Sequence, residues 1–133
     1  MMFGDIDCRL DEGIIRYHRG IGGDPRESIP KLVEDYVSYV VKVCSAEDII
    51  PVICNVAMPI HEEVAVTPAD RELLVLVHEE FNRMLFVVTS RREIPLLDLF
   101  TVSKNREIIA GQKCHIDTRH LVPAVYPYLI GKL

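Results

Sequence analysis

Amide side chains are almost missing from this sequence: Asn55, Asn82, Asn105 and Gln112 are all it has in 133 residues. Thermophilic proteins are poor in these thermolabile residues, so the composition leans toward a thermophilic source. The four cysteines, Cys8, Cys44, Cys54 and Cys114, lie far apart with no C-x-x-C pair. That spacing excludes a zinc ribbon or a dithiol redox motif, and it predicts free, mostly buried thiols in a reducing compartment. The opening stretch "MMFGDIDCRL" lacks the positive start and apolar core of a signal peptide, and no run approaches about 18 uninterrupted apolar residues. A cytoplasmic location is expected, with no membrane partner.

Positive charge is also in short supply. Fifteen Lys and Arg against twenty Asp and Glu leave a net charge of −5, a field that repels phosphate backbones and argues against nucleic acid as a partner. The basic clusters, Arg91-Arg92 and Lys104-Asn105-Arg106, are too short to track a backbone and read as solvated turns. Neither H-E-x-x-H nor G-x-S-x-G occurs, and no glycine spacing fits a P-loop or a dinucleotide fingerprint. No pattern calls for a particular cofactor or metal.

What remains is a strongly apolar chain, 49% hydrophobic, long enough for one domain over residues 1–133 with a true core. So much Val, Ile and Leu leaves apolar surface to cover, and a homo-oligomer is expected. Residues 3–10 and 13–20 read as a β-hairpin about Asp11-Glu12. After "GIGG", Asp24-Pro25 has the cap and the proline that start helices, although Pro30 suggests a short turn or a kink before a main helix over about 29–44. Its apolar residues Ile29, Leu32, Val33, Tyr36, Val37, Val40, Val41 and Cys44 recur at three- and four-residue steps. The run 49–58 reads as a buried strand. Thr67-Pro68 opens a second helix over about 68–84, followed by a strand at 85–90, though the helix could run on through it. Residues 96–116 suggest a second hairpin bent at 103–105, and Pro123 and Pro127 break the tail. The fold class expected is α+β: a two-layer sandwich with two main helices on one face of a mixed sheet.

Three stretches could carry chemistry. In "YHRGIGGDPRE" the backbone at Gly22 and Gly23 could receive an anion at the helix entry, with His18 and Arg19 as ligand-binding side chains. The plainer alternative is a tight loop already capped by Asp24. In "CNVAMPIHEE" His61, as an acid-base group, and Glu62, as a ligand-binding one, follow the C-terminal end of the expected central strand, the end that ligands favour in open sheets with helical crossovers. In "GQKCHIDTRH" strand alternation turns Cys114 inward and pairs His115 with Asp117, a histidine with its orienting carboxylate; Asp117 could equally cap a turn starting at Thr118. Together these support a protein that binds a small phosphorylated or carboxylated metabolite, with His61, His115 and Asp117 as catalytic candidates at a subunit interface. The competing reading is a non-catalytic oligomeric subunit or regulatory interaction domain, in which the same polar residues are loops and caps.

Overall fold

The computed structural model describes residues 8–9, 11–65 and 67–133. It is a mixed helix and strand structure, 57% helical and 8% strand, so helix packing rather than a broad sheet builds its core. Its first helix, α1 (Gly13–Ile21), replaces the second arm of the expected hairpin; the first arm lies outside the described residues except for 8 and 9. The reason is burial. Ile14, Ile15 and His18 all turn inward, the i, i+1, i+4 stripe of a helix, whereas a strand would send neighbouring Ile14 and Ile15 to opposite faces.

The second helix, α2 (Pro25–Ala46), starts where its cap requires: the Asp24 carboxylate accepts the Arg26 backbone N–H at 2.9 Å, with Pro25 at the first position. It continues through Pro30, which removes one backbone donor near the helix start while Ile29, Val33 and Val37 on the same segment are fully buried. The wide apolar face read from the sequence therefore divides. Ile29, Val33 and Val37 pack inward, Tyr36, Val40, Val41 and Cys44 are half-buried, and Leu32 is left exposed.

After a two-residue strand, β1 (Ile53–Cys54), and one turn of helix, α3 (His61–Val64), comes α4 (Pro68–Arg91), capped by the Thr67 hydroxyl on the Asp70 N–H at 3.1 Å. It absorbs residues 85–90, where a strand was expected. Leu85, Val88 and Thr89 are buried and Phe86 and Val87 exposed, a helical rather than an alternating pattern. Packing of α2 on α4 is the main contact of the molecule, and their buried side chains form one cluster with Ile14, Ile15 and Ile53. Arg91 and Arg92, at the end of α4, are not idle turn residues. Both pair with Glu34 on α2, Arg92 at 3.1 Å, and Arg92 also reaches the Ser38 hydroxyl at 2.8 Å; hydrogen bonding from Arg91 holds the Glu34 carboxyl below its usual range.

Strand β2 (Leu96–Leu97) lies parallel to β1, with Ile53 opposite Leu96 and Cys54 opposite Leu97, so α3 and α4 form the crossover between them. The expected hairpin over 96–116 is reduced to its far end. Asp98 accepts the Thr101 N–H at 3.0 Å and starts α5 (Leu99–Lys104), whose Leu99, Val102 and Ser103 are buried at helical spacing. The hairpin proper is β3 (Ile108–Ile109) with β4 (Gln112–Lys113), and its turn residues Ala110 and Gly111 both have positive φ, 52° and 79°. That is the twist-matching turn of a two-residue loop. The tail ends in α6 (Val125–Ile130), with Pro127 in the first turn where no backbone donor is needed. A second cluster, including Leu99, Val102, Cys114, Val125 and Leu129, joins these C-terminal elements. The described strands thus form two separate two-stranded ladders, one parallel and one antiparallel. Among the described residues no helix is long and apolar enough to cross a membrane.

Candidate functional site

The chain leaves β1 as Asn55-Val56-Ala57-Met58, and three buried polar side chains determine its path. Asn82 of α4 accepts the Val56 N–H at 2.7 Å and donates to the Val56 carbonyl at 2.9 Å, doing for Val56 what a neighbouring strand would do. Asn55 accepts the Phe100 N–H at 2.8 Å and donates to Asp98 at 2.8 Å, tying the exits of β1 and β2 together. Ser103 accepts the Met58 N–H at 2.7 Å. Burial works to raise the Asp98 carboxyl, but the hydrogen bonds from Thr101 and Asn55 outweigh it and keep the group below its usual range. Two of the three asparagines in the chain are spent on this one crossing, and neither was legible as functional because its partner lies more than 20 residues away.

These anchors bring His61, at the start of α3, beside α5 and the loop after it. A cleft of about 110 Å³ is lined by Met58, His61, Glu79, Ser103, Lys104 and Arg106. The His61 Nδ1 stands 3.5 Å from a Glu62 oxygen, Arg106 donates to both Glu62 oxygens at 2.7 and 2.8 Å, and Lys104 reaches Glu79 at 2.7 Å. The Glu62 backbone N–H, with His61 and Arg106 nearby, holds the Glu62 carboxyl below its usual range against the opposing effect of burial. Lys104 and Arg106, which read as a plain basic turn in the sequence, are therefore part of the wall. Only the fold could show this, since they lie more than 40 residues from His61.

His115 serves the same loop from the other side. Its Nε2 lies 3.0 Å from the Met58 carbonyl, which can only accept, so Nε2 carries the proton and Nδ1 faces the Cys114 thiol at 3.4 Å. With both ring nitrogens engaged, His115 straps the Met58 loop in place rather than facing a substrate. Cys114 is buried to 1% exposure and burial pushes its thiol up, as it does the half-buried Cys54. Neither is an activated nucleophile.

The expected His115–Asp117 pair is not formed. The Asp117 carboxylate instead accepts the N–H groups of Arg119 and His120 and the His120 ring Nδ1, all at 2.8 Å, because a cap two to three residues ahead is closer than a side chain on the same strand face. Those three donors hold the Asp117 carboxyl far below the usual carboxylate range. Since the folded value lies under the unfolded one, the cap's contribution is complete above an unfolded value of about 3.9 and is lost only as pH falls through the folded value. Hydrogen-exchange protection of the Arg119 and His120 amides should accordingly persist down to about pH 4, and Asp117→Ala should abolish it at every pH. Protection that disappears already near pH 6 in the wild type would contradict this cap.

The helix-entry loop is a separate place. Gly22 and Gly23 take positive φ, 73° and 95°, and the Gly22 N–H bonds the His18 carbonyl at 2.9 Å. Asp24 occupies the Arg26 N–H and also holds the Arg26 guanidinium at 2.9 Å, so the Gly22 and Arg26 amides that might receive an anion already have partners. Arg19 turns away to pair with Asp70 and Asp11 and links α1 to the start of α4, while the Thr67 hydroxyl together with Arg19 holds the Asp70 carboxyl low. His18 is buried between Gly22 and Ser28. The sequence-derived histidines thus divide among His18 on α1, His61 in the cleft and His115 behind the Met58 loop, and among the described residues no group of three or more His, Cys, Asp or Glu could hold a metal ion. No protein-family model, no curated protein and no solved structure matches this chain.

Proposed function

We propose that this is a cytoplasmic protein, its four thiols reduced, that binds a small phosphorylated or carboxylated metabolite in the His61–Lys104–Arg106 cleft. The observation that carries the reading is the meeting of two cationic side chains and a histidine, from segments more than 40 residues apart, on one hollow at the exits of two parallel strands. The cations rest on Glu62 and Glu79 in solvent-exposed pairs. Such pairs contribute about 1 kcal/mol or less, so an incoming anion can replace the carboxylates at small cost. A volume of about 110 Å³ suits the charged group of the ligand, with the remainder covered by a second copy of the chain. His61 is then the acid-base residue available for catalysis. In this reading α2 and α4 form one layer and the short ladders the other.

A second reading has its own observation. A groove of about 460 Å³ runs between Tyr36, Tyr39, Val40 and Val43 of α2 and the segment 49–54, and Ile50 beside it is 83% exposed. Apolar surface of this extent fits a non-catalytic oligomeric subunit or interaction domain.

One experiment ranks the two. Thermal shift against a panel of phosphorylated and carboxylated metabolites should raise the melting temperature of the wild type. A ligand at a hundred times its Kd adds about 2.7 kcal/mol, worth several degrees in this size range. The double variant Lys104→Ala/Arg106→Ala should lose that shift while its unliganded stability stays within about 1 kcal/mol. No shift with any ligand, together with a dimer or larger species by light scattering, would replace the first reading by the second.

A further inference from the structure

Ser28 lies in the first turns of α2 and is exposed, and its Oγ is 3.0 Å from Nε2 of the buried His18. The other ring nitrogen, Nδ1, faces the Gly22 carbonyl at 3.3 Å. A carbonyl oxygen only accepts, so Nδ1 carries the proton, Nε2 presents its lone pair, and the Ser28 hydroxyl is the donor in the short contact. The ring is held on two further sides. Tyr17 meets it edge-on with centroids 5.2 Å apart, and the Gly23 backbone lies beside it, where an added Cβ would make ordinary contact with Nδ1 at 3.7 Å. The positive φ of Gly22 and Gly23 is what folds the chain back to bring this carbonyl and this helix start to opposite edges of one imidazole.

An exposed hydroxyl, a base in hydrogen-bond reach and a third group that orients the base is the arrangement of an activated nucleophile. It opens into a hollow of about 480 Å³ whose walls include Ile14, Tyr17, Lys31 and Leu32. We infer that Ser28 and His18 form a nucleophile–base dyad that hydrolyses small carboxylic esters with an apolar acyl group. The acyl group rests on Ile14, Tyr17 and Leu32, and Lys31, one turn along the same face of α2, exchanges its exposed pair with Asp35, which lines the hollow together with Glu27, for the oxyanion.

The Ser28 Oγ bonds the ester carbonyl carbon as its proton passes to His18 Nε2. The ester C–O bond then breaks, and the departing alkoxide takes that proton to leave as the alcohol. Water attacks the acylated Ser28, giving a proton to Nε2 that returns to Oγ as the carboxylic acid is released. At rest the hydroxyl has a longer alternative, the Pro25 carbonyl at 3.3 Å, which a rotation about the Cα–Cβ bond exchanges for Nε2. No motif announces such a dyad, because its members are brought together by a loop rather than by a nucleophile turn. This site is separate from the His61 cleft and stands without it.

The test is covalent labelling with an alkyl fluorophosphonate, read by intact mass and peptide mapping, alongside turnover of p-nitrophenyl butyrate. The wild type should gain a single adduct on Ser28. Ser28→Ala should gain none while keeping its circular dichroism, since the residue is exposed. His18→Gln should label about 100-fold more slowly or worse, the loss expected for a missing general base. Absence of an adduct on Ser28 in folded wild type overturns the inference, as does labelling of His18→Gln at the wild-type rate. If His18→Gln fails to fold, the comparison of wild type with Ser28→Ala still decides.

Discussion

Asn82→Ala should lower the melting temperature by about 10 °C or more, while Asn105→Ala, the same change on an exposed turn, should move it by less than about 2 °C. Asn82 is 3% exposed and makes three hydrogen bonds, two to Val56 and one to the His78 carbonyl. Truncation leaves the buried N–H and C=O of Val56 without these partners. Each orphaned backbone group costs on the order of 1–3 kcal/mol, so a total of about 3 kcal/mol follows. The damage is local to the path that leads to His61, so ligand response should weaken together with stability. Thermal melts of the two variants check this. A loss under about 1 kcal/mol for Asn82→Ala would show that Val56 finds other partners and that the crossing does not depend on this side chain.

The second large effect tests the helical assignment of α1. Ile15 is fully buried and Tyr17 is 56% exposed. Ile15→Ala should therefore cost about 3 kcal/mol, the lost transfer energy plus the cavity it leaves, and Tyr17→Ala less than about 1 kcal/mol. On a strand the two residues would share a face and would cost similar amounts. Chemical denaturation of both variants separates the cases, and equal losses would return residues 13–20 to the hairpin first expected.

How much of this was legible depended on how local the deciding interaction is. Asp24-Pro25 and Thr67-Pro68 announce the starts of α2 and α4 because a cap bonds to an amide two or three residues away. The three- and four-residue spacing of Ile29, Val33 and Val37 likewise needs no partner to be read. Residues 13–21, 85–91 and 99–104 were harder. Each is a short run in which an alternating and a helical pattern share most of their apolar positions, and only knowing which side chains are buried separates the two. For Leu85 to Thr89 the burial comes from α2, about 50 residues earlier; for Leu99 to Ser103 it comes from the elements that follow.

Candidate chemistry divides along the same line. His61 and Glu62 could be singled out for their types and for following a strand, and both line or border the cleft. Lys104 and Arg106 could not, since their meaning lies in the company of His61. Alternation pairs His115 with Asp117, but Asp117 satisfies its own turn first, as short polar side chains do when amides two and three residues on are within reach. Ser28 carried no signal at all.

The sequence by itself determined the two long helices, the cap that starts α4 and the Ile29, Val33 and Val37 stripe that joins them, because caps and periodicity act within a few residues; Pro30 pointed to a main helix from about 29, whereas α2 begins at Pro25. Tertiary structure alone decided that α1 is a helix, that Asn55 bridges the strand exits while Asn82 holds Val56, and which polar groups share a hollow. Those outcomes depend on burial and on hydrogen bonds between distant residues, such as the 45 positions that separate Asn55 from Phe100, and short-range preference carries no information about a partner that distant.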